Sequence, residues 1–160
     1  MRLLPTLLLF LALASQAQAS HFQGRVVGLA DGDTLTVLDA KHVQHKVRLA
    51  GIDAPEKRQA YGQASREHLA KLVFGREVVV DAGKVDRYGR TVGRVRFNGQ
   101  DVGLEQIRAG LAWHYKAYER EQPAEDRLSY AQAEEAARKA HAGLWHDAAA
   151  TPPWKWRRSK

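Results

Sequence analysis

Apolar residues recur in two short runs near the start of the chain, Val26, Val27 and Leu29, then Leu35, Val37 and Leu38, with Asp31-Gly32 between them. A turn-forming pair between two apolar runs predicts a β-hairpin. A third strand is expected from about His42 to Ile52, with Val43, Val47 and Leu49 on one face and Lys46 and Arg48 on the other. The period then lengthens. Tyr61, Ala64, His68, Leu69 and Leu72 fall on one helical face, and Gly75 stops the run, so an amphipathic helix is expected from Tyr61 to Phe74. Strands four and five are expected at Arg76 to Asp81, through Val78, Val79 and Val80, and at Thr91 to Phe97, before an Asn98-Gly99 turn. In the fifth strand Val92, Val95 and Phe97 alternate irregularly. A short helix over about Val102 to Ala109 and a longer one over about Ser129 to Ala142, with Tyr130, Ala133, Ala137, Ala140 and Leu144 on its face, complete the pattern.

Three strands, a helix, two strands and then helices describe a β-dominated α+β fold. Five short strands with a capping helix fit a closed five-stranded OB-fold barrel with about three α-helices, a build whose strands and loops often bind oligonucleotides. One domain is expected over 20–147, followed by a basic, Pro- and Trp-containing tail over 148–160. Residues 1–19 read as a cleavable signal peptide: Arg2, an apolar run from Leu3 to Ala14, and small residues at Ala17 and Ala19 before Ser20. That run is too short for a permanent membrane helix, which needs about 20 residues. The expected product is secreted or periplasmic, without stable membrane association, and a monomer.

The net charge is +7 and the leader removes only Arg2, so the remainder stays strongly basic. A polyanion is a natural partner for such a chain, although general adhesion to anionic surfaces explains the charge equally well. No cysteine is present, which excludes a disulfide framework and a thiolate metal site.

Against this basic background, carboxylates gather between Asp31 and Glu56. Asp31-Gly32 is explained by turn geometry alone. Asp33 and Asp53 stand at the entry of one strand and the exit of another, where aspartate is depleted. Pro55 holds the chain extended and keeps Glu56 out of a helix, which suits a carboxylate that must be aimed. With no cysteine and no paired-histidine motif, such a cluster favours a hard cation with oxygen ligands, calcium or magnesium rather than zinc. An EF-hand is excluded, because the twelfth residue counted from Asp31 is His42 and from Asp33 is Gln44, where a glutamate is required. Three carboxylates without counter-charge would repel one another. A divalent cation with Arg48 and Arg90 would reverse that sign and attract a phosphate, which points to phosphodiester chemistry with a carboxylate as general base. A second cluster, Asp86-Arg87-Tyr88-Gly89-Arg90-Thr91, heads the fifth strand. A third, Trp113-His114-Tyr115-Lys116-Ala117-Tyr118, mixes aromatics with base, as stacking platforms do. Trp113 is assigned to the core and Tyr115 and Tyr118 to a candidate base pocket.

At these residues the chain resembles the staphylococcal nuclease (thermonuclease) family. The likeness runs from about Gly24 to Trp145 through Asp31-Gly32-Asp33-Thr34, Val47-Arg48-Leu49, Gly51-Ile52-Asp53-Ala54-Pro55-Glu56, Asp86-Arg87-Tyr88-Gly89-Arg90 and Gly143-Leu144-Trp145. The resemblance implies an OB-fold, calcium-dependent endonuclease that cuts DNA and RNA and leaves 3′-phosphate ends. By the same resemblance Asp33, Asp53 and the Ala54 backbone carbonyl would hold Ca²⁺, and Glu56 would act as base or water-orienter. Arg48 and Arg90 would clamp the phosphate, and Arg87 and Tyr88 would hold a neighbouring one. Ala54 replaces a threonine of the staphylococcal enzyme, and the link from Glu56 to Tyr61 is shorter and lacks a lysine-bearing loop. Trp145 is read as a structural pin for the last helix. Two rival readings are a catalytically inert nucleic-acid-binding OB module, which would have lost at least one of Asp33, Arg48, Asp53, Glu56 and Arg90, and an adhesion protein, which would have no use for the three carboxylates.

Overall fold

The computed structural model describes residues 20–159, so the leader lies outside the described residues. Five strands close a barrel: β1 (Ser20–Leu29), β2 (Thr34–Asp39), β3 (Gln44–Leu49), β5 (Glu77–Val85) and β6 (Thr91–Phe97). β1 pairs with β2 and β5, β2 with β3 and β5 with β6, all antiparallel, and a parallel β3–β6 pairing closes the ring. Alternation along each strand fills the interior, with Val26, Leu35, Val37, Val47, Leu49, Val78, Val80 and Val95 buried. This is the OB-type, β-dominated α+β architecture expected from the element order.

The irregular valines of β6 have a simple cause. Gly93 takes an inward position ahead of Val95, while Val92 sits half-buried beside it. The third strand is shorter than expected. It ends at Leu49, the chain turns at Ala50-Gly51, and Ile52–Asp53 forms a separate short strand, β4, paired with β8 (Trp113–His114) outside the barrel. Gly51 lies at φ 75°, a conformation costly for any residue with a Cβ, and its carbonyl accepts the Tyr115 N–H at 2.8 Å. That break turns Asp53 out of the barrel wall.

Helix α1 spans Gly62–Val73, as its spacing predicts, but its buried face is rotated. Gly62, Ser65, Leu69 and Val73 are buried, whereas Ala64, expected inward, is exposed. Ser65 tolerates complete burial because its hydroxyl donates to the Leu111 carbonyl at 2.7 Å. Hydrophobic spacing misses such a residue. Helix α2 (Val102–Arg108) begins after Asp101, whose carboxylate caps the Leu104 N–H at 3.1 Å and accepts the Tyr130 hydroxyl. A two-residue strand, β7 (Gln100–Asp101), pairs with β6 across the Asn98-Gly99 turn.

Helix α3 covers Ala124–Lys139 and starts five residues before the expected position, directly after Pro123. Its first turn is polar, so no apolar stripe announces it, but Glu125 and Asp126 suit the positive end of the helix dipole. Tyr130, Ala133 and Ala137 are buried as expected, while Ala140 falls past the helix end and is exposed.

A second apolar cluster gathers Trp113, Ala137, Leu144 and Trp145, with Tyr61 and Trp154 packed against it. Trp145 meets Trp113 edge-on at 4.2 Å, which fits its reading as a structural pin. The tail expected over 148–160 folds back. Pro152 and Pro153 are buried, and Pro153–Trp156 forms a short helix, α4. Among the described residues no helix is long and apolar enough to cross a membrane.

Leu69 is fully buried between α1 and the barrel. Leu69→Ala should cost about 2–5 kcal/mol in urea unfolding with an unchanged m-value. A loss under about 1 kcal/mol would contradict the packing of α1 described here.

Candidate active site

The β1–β2 turn is fastened before it presents any chemistry. Asp31 accepts the Asp33 N–H at 3.0 Å, and the buried Gln106 donates to the Gly32 carbonyl at 2.7 Å and to the Ser65 carbonyl at 3.1 Å. A Cβ at position 32 would stand 1.8 Å from the Ser65 hydroxyl oxygen, so only glycine fits. The turn aims Asp33, which is 5% exposed. One of its carboxylate oxygens accepts the Thr34 hydroxyl at 3.0 Å and the other the Ala54 N–H at 2.8 Å.

The β2–β3 register sets Arg48 opposite Thr34. Arg48 points away from the barrel interior filled by Val47 and Leu49, and its guanidinium joins the acidic groups. Nη2 lies 3.0 Å from Asp53 and 3.5 Å from Asp33, while Nη1 donates to the carbonyls of Leu49 and Ile52 at 3.0 Å each. Arg90 arrives from the start of the adjacent β6. It pairs with Asp86 at 2.7 Å, and its Nη1 donates to the Thr34 hydroxyl at 3.4 Å.

On the far side Glu56 is held at its backbone N–H by Gln59 at 3.1 Å, and Gln59 in turn donates to the Thr151 carbonyl at 2.5 Å. The Glu56 carboxylate accepts from Arg157 Nη1 at 2.7 Å, and Arg157 also grips Asp53 through Nη1 at 3.2 Å and Nη2 at 2.7 Å. A continuous polar chain thus runs Arg90, Thr34, Asp33, Arg48, Asp53, Arg157, Glu56. The carboxyl groups of 33, 53 and 56 lie within one guanidinium of their neighbours in this chain.

Burial, reinforced by the charge of Asp33, pushes the Asp31 carboxyl up to about 7. Burial likewise raises Asp53; Arg157 pulls it down by hydrogen bonding, and Asp33 adds to the rise. For Arg48 burial works against the charge, but Asp33, Asp53 and Asp31 outweigh it and raise the guanidinium above its ordinary value. Asp86 is lowered: partial burial opposes its charge, and the backbone and side-chain donors of Arg90 with the Tyr88 N–H prevail.

Beside this network lies an open cleft of about 610 Å³, lined among others by Arg87, Tyr115, Lys116, Trp154, Arg157 and Arg158. Tyr115 is half-buried there, and Tyr118 meets its edge at 5.1 Å with Lys84 5.0 Å above its own ring. Tyr88 is 67% exposed, with the Arg87 and Arg90 guanidiniums 4.8 and 5.3 Å from its ring. The structure therefore joins Asp33, Arg48, Asp53, Ala54, Glu56 and Arg90 in one network and sets Arg87 and Tyr115 on the neighbouring cleft. Tyr88 stands on an exposed loop, and Tyr118 reaches the cleft only through Tyr115.

Three participants escaped sequence reasoning. Thr34 is visible as part of the turn but links Arg90 to Asp33 only once β6 closes against β3, the partner of β2. Gln106 sits in a helix with nothing local to mark it. Arg157 belongs to the basic tail over 148–160, where no local pattern ties it to the acidic cluster.

Among the described residues no three His, Asp or Glu side chains form a cation cage by themselves. The donor set is smaller: two buried aspartates, with the Ala54 carbonyl as third candidate. Its all-oxygen chemistry and the upward push on Asp31 and Asp53, from burial first and from Asp33 after it, fit a hard divalent cation, whose charge would offset both.

A closed OB-type barrel thus carries carboxylates and arginines interleaved at its strand ends. The family model described as Staphylococcal nuclease homologue matches residues 46–147. A protein named ParB from Escherichia coli is 43% identical over 157 residues, spanning 92% of this chain and 85% of its own length. The micrococcal nuclease of Shigella flexneri is 43% identical over 149 residues, spanning 88% of this chain and 83% of its own. An uncharacterized endonuclease of Haemophilus influenzae is 40% identical over 158 residues, spanning 99% and 85%. The chain belongs to the staphylococcal nuclease family.

Arg48 is a buried counter-ion, whereas Arg90 reaches the network from its edge. Arg48→Met should therefore cost roughly 3–5 kcal/mol of unfolding free energy, and Arg90→Met no more than about 1 kcal/mol. Equal losses in denaturant titrations would show that Arg48 does not hold the two aspartates together.

Proposed function

We propose that the protein is a secreted or periplasmic, calcium-dependent endonuclease that hydrolyses phosphodiester bonds of DNA and RNA and leaves 3′-phosphate ends. The observation that carries this reading is the unbroken chain of contacts from Arg90 to Glu56, which sets the proposed clamp, ligands and base side by side. The relatives, a micrococcal nuclease and an endonuclease, point the same way. Residues 1–19 as leader support export, and the basic surface supports attraction of a polyanion.

In this reading Asp33, Asp53 and the Ala54 carbonyl hold Ca²⁺, whose charge, when bound, draws in the phosphate and stabilises negative charge on its oxygens. Asp33 is positioned in advance by the Thr34 hydroxyl and the Ala54 N–H. Glu56 accepts a proton from water as the water oxygen bonds to phosphorus; the bond from phosphorus to the 5′-oxygen breaks, and the leaving 5′-oxygen takes up a proton. Arg48 and Arg90 clamp the phosphate, Arg48 from its place against Asp33 and Asp53. Arg90, oriented by Asp86, presents its forked guanidinium to the phosphate, whose charge is greatest in the transition state. Arg87 and Tyr88 hold a neighbouring phosphate, and Tyr115, edged by Tyr118, offers a stacking face for a base. The domain is read as 20–147, a monomer without stable membrane association.

Glu56→Gln should lower turnover by about 10²–10⁴-fold and keep DNA binding, as judged by single-turnover cleavage and filter binding. Undiminished cleavage in that variant would remove the proposed base. Digestion of single- and double-stranded DNA and of RNA, followed by end-group analysis, should give 3′-phosphates with calcium and no cutting in excess chelator. Activity that survives chelation, or 5′-phosphate products, would overturn the assignment.

A further inference from the structure

The residue that completes the network comes from the far end of the chain. Arg157 grips both oxygens of Asp53 and one of Glu56, the two carboxylates assigned above to the cation and to the attacking water. Asp53 is 1% exposed, so its charge must be met by partners, and the forked guanidinium of Arg157, more exposed than that of Arg48, meets it alongside Arg48.

This contact is not the reach of a loose side chain. Thr151 is tied to Gln59, Pro152 and Pro153 are buried, and Trp154 lies nearly parallel to Tyr115 at 5.4 Å and 17° while meeting Trp113 edge-on at 5.5 Å. The tail thus covers two places that the proposed reaction needs. Arg157 puts positive charge where a cation would sit, and Trp154 covers an aromatic face where a base would stack. A guanidinium and a divalent cation on the same carboxylate oxygen repel each other, and whereas Arg48 takes only one oxygen of Asp53, Arg157 takes both, so it is Arg157 that stands in the cation's way.

We propose that Arg157 is a built-in counter-ion that competes with the divalent cation for Asp53 and also ties down Glu56, so that the C-terminal tail sets how readily the site loads. The proposal rests on Asp53 being a cation ligand. It makes Arg157 a positioning residue of the site rather than a bystander on a basic tail. Because the competing arm is part of the same chain, the apparent cation affinity falls by the fraction of molecules in which Arg157 holds the carboxylates.

The test is calorimetric titration of calcium chloride into the purified protein without nucleic acid, so that the readout is binding and not turnover. Arg157→Ala should bind calcium about tenfold more tightly than the unaltered protein. Arg157→Lys, which keeps the charge and loses the fork, should fall between the two. Arg158→Ala, which removes the adjacent charge, should stay within about twofold of the unaltered protein, since loss of one exposed charge has little effect. Equal or weaker binding by Arg157→Ala would overturn the competition and leave the cation reading intact. An equal gain in Arg158→Ala would reduce the effect to net charge and overturn it as well. Calcium binding by none of these proteins would overturn both the inference and the cation assignment.

Discussion

The Arg48 guanidinium between Asp33 and Asp53 is the contact on which the site depends. Two unit charges of like sign about 4 Å apart repel by about 4 kcal/mol at an effective dielectric of 20. Without a shared positive partner the two buried aspartates would not stay together. Arg48 supplies that partner and also closes off the carbonyls of Leu49 and Ile52 where the strand breaks. The same guanidinium that stabilises the turn therefore keeps a pair of carboxylates in readiness, with their charge only partly met. Under the proposed function such a pocket takes up a cation, and after it an anion.

The barrel supplies the precision. Register places Arg48 opposite Thr34, and the parallel β3–β6 closure sets Val47 beside Thr91, directly after Arg90. Asp33 enters from the β1–β2 turn and Asp53 from the break after β3, so three strand ends meet at one corner. Gln106 and Ser65, both fully buried, fasten the turn from behind by hydrogen bonds rather than by apolar packing. Such a polar scaffold is stable only when every member finds a partner, and it fixes one geometry where an apolar core would tolerate several.

Much of this was legible in the chain. Strand alternation and the helix at 62–73 gave the barrel, because apolar periodicity records which face is buried. Aspartates at strand ends mark the candidate site, because carboxylates there have no packing purpose. What stayed hidden follows from the same logic. The buried face of α1 was misplaced because Ser65, a polar residue, lies at its centre. The first turn of α3 was missed because a solvated turn carries no stripe. The break that separates β4 from β3 was read as continuous strand, because Gly51 marks a turn only in combination with the contact from Tyr115. Arg157 was the largest omission: its partners lie 104 and 101 residues away in sequence, and no local pattern encodes such a meeting.

Most of the fold subsists on the barrel, but the chemistry depends on whether the carboxylate pair bridged by Arg48 is the seat of the cation. A crystal structure of the protein grown with calcium, with the ion located by its anomalous scattering, addresses this directly. The account predicts one ion between the carboxylates of Asp33 and Asp53, with Arg48 still bridging them and Arg157 displaced from Asp53. An ion seated elsewhere, with Arg157 still on Asp53, would contradict it.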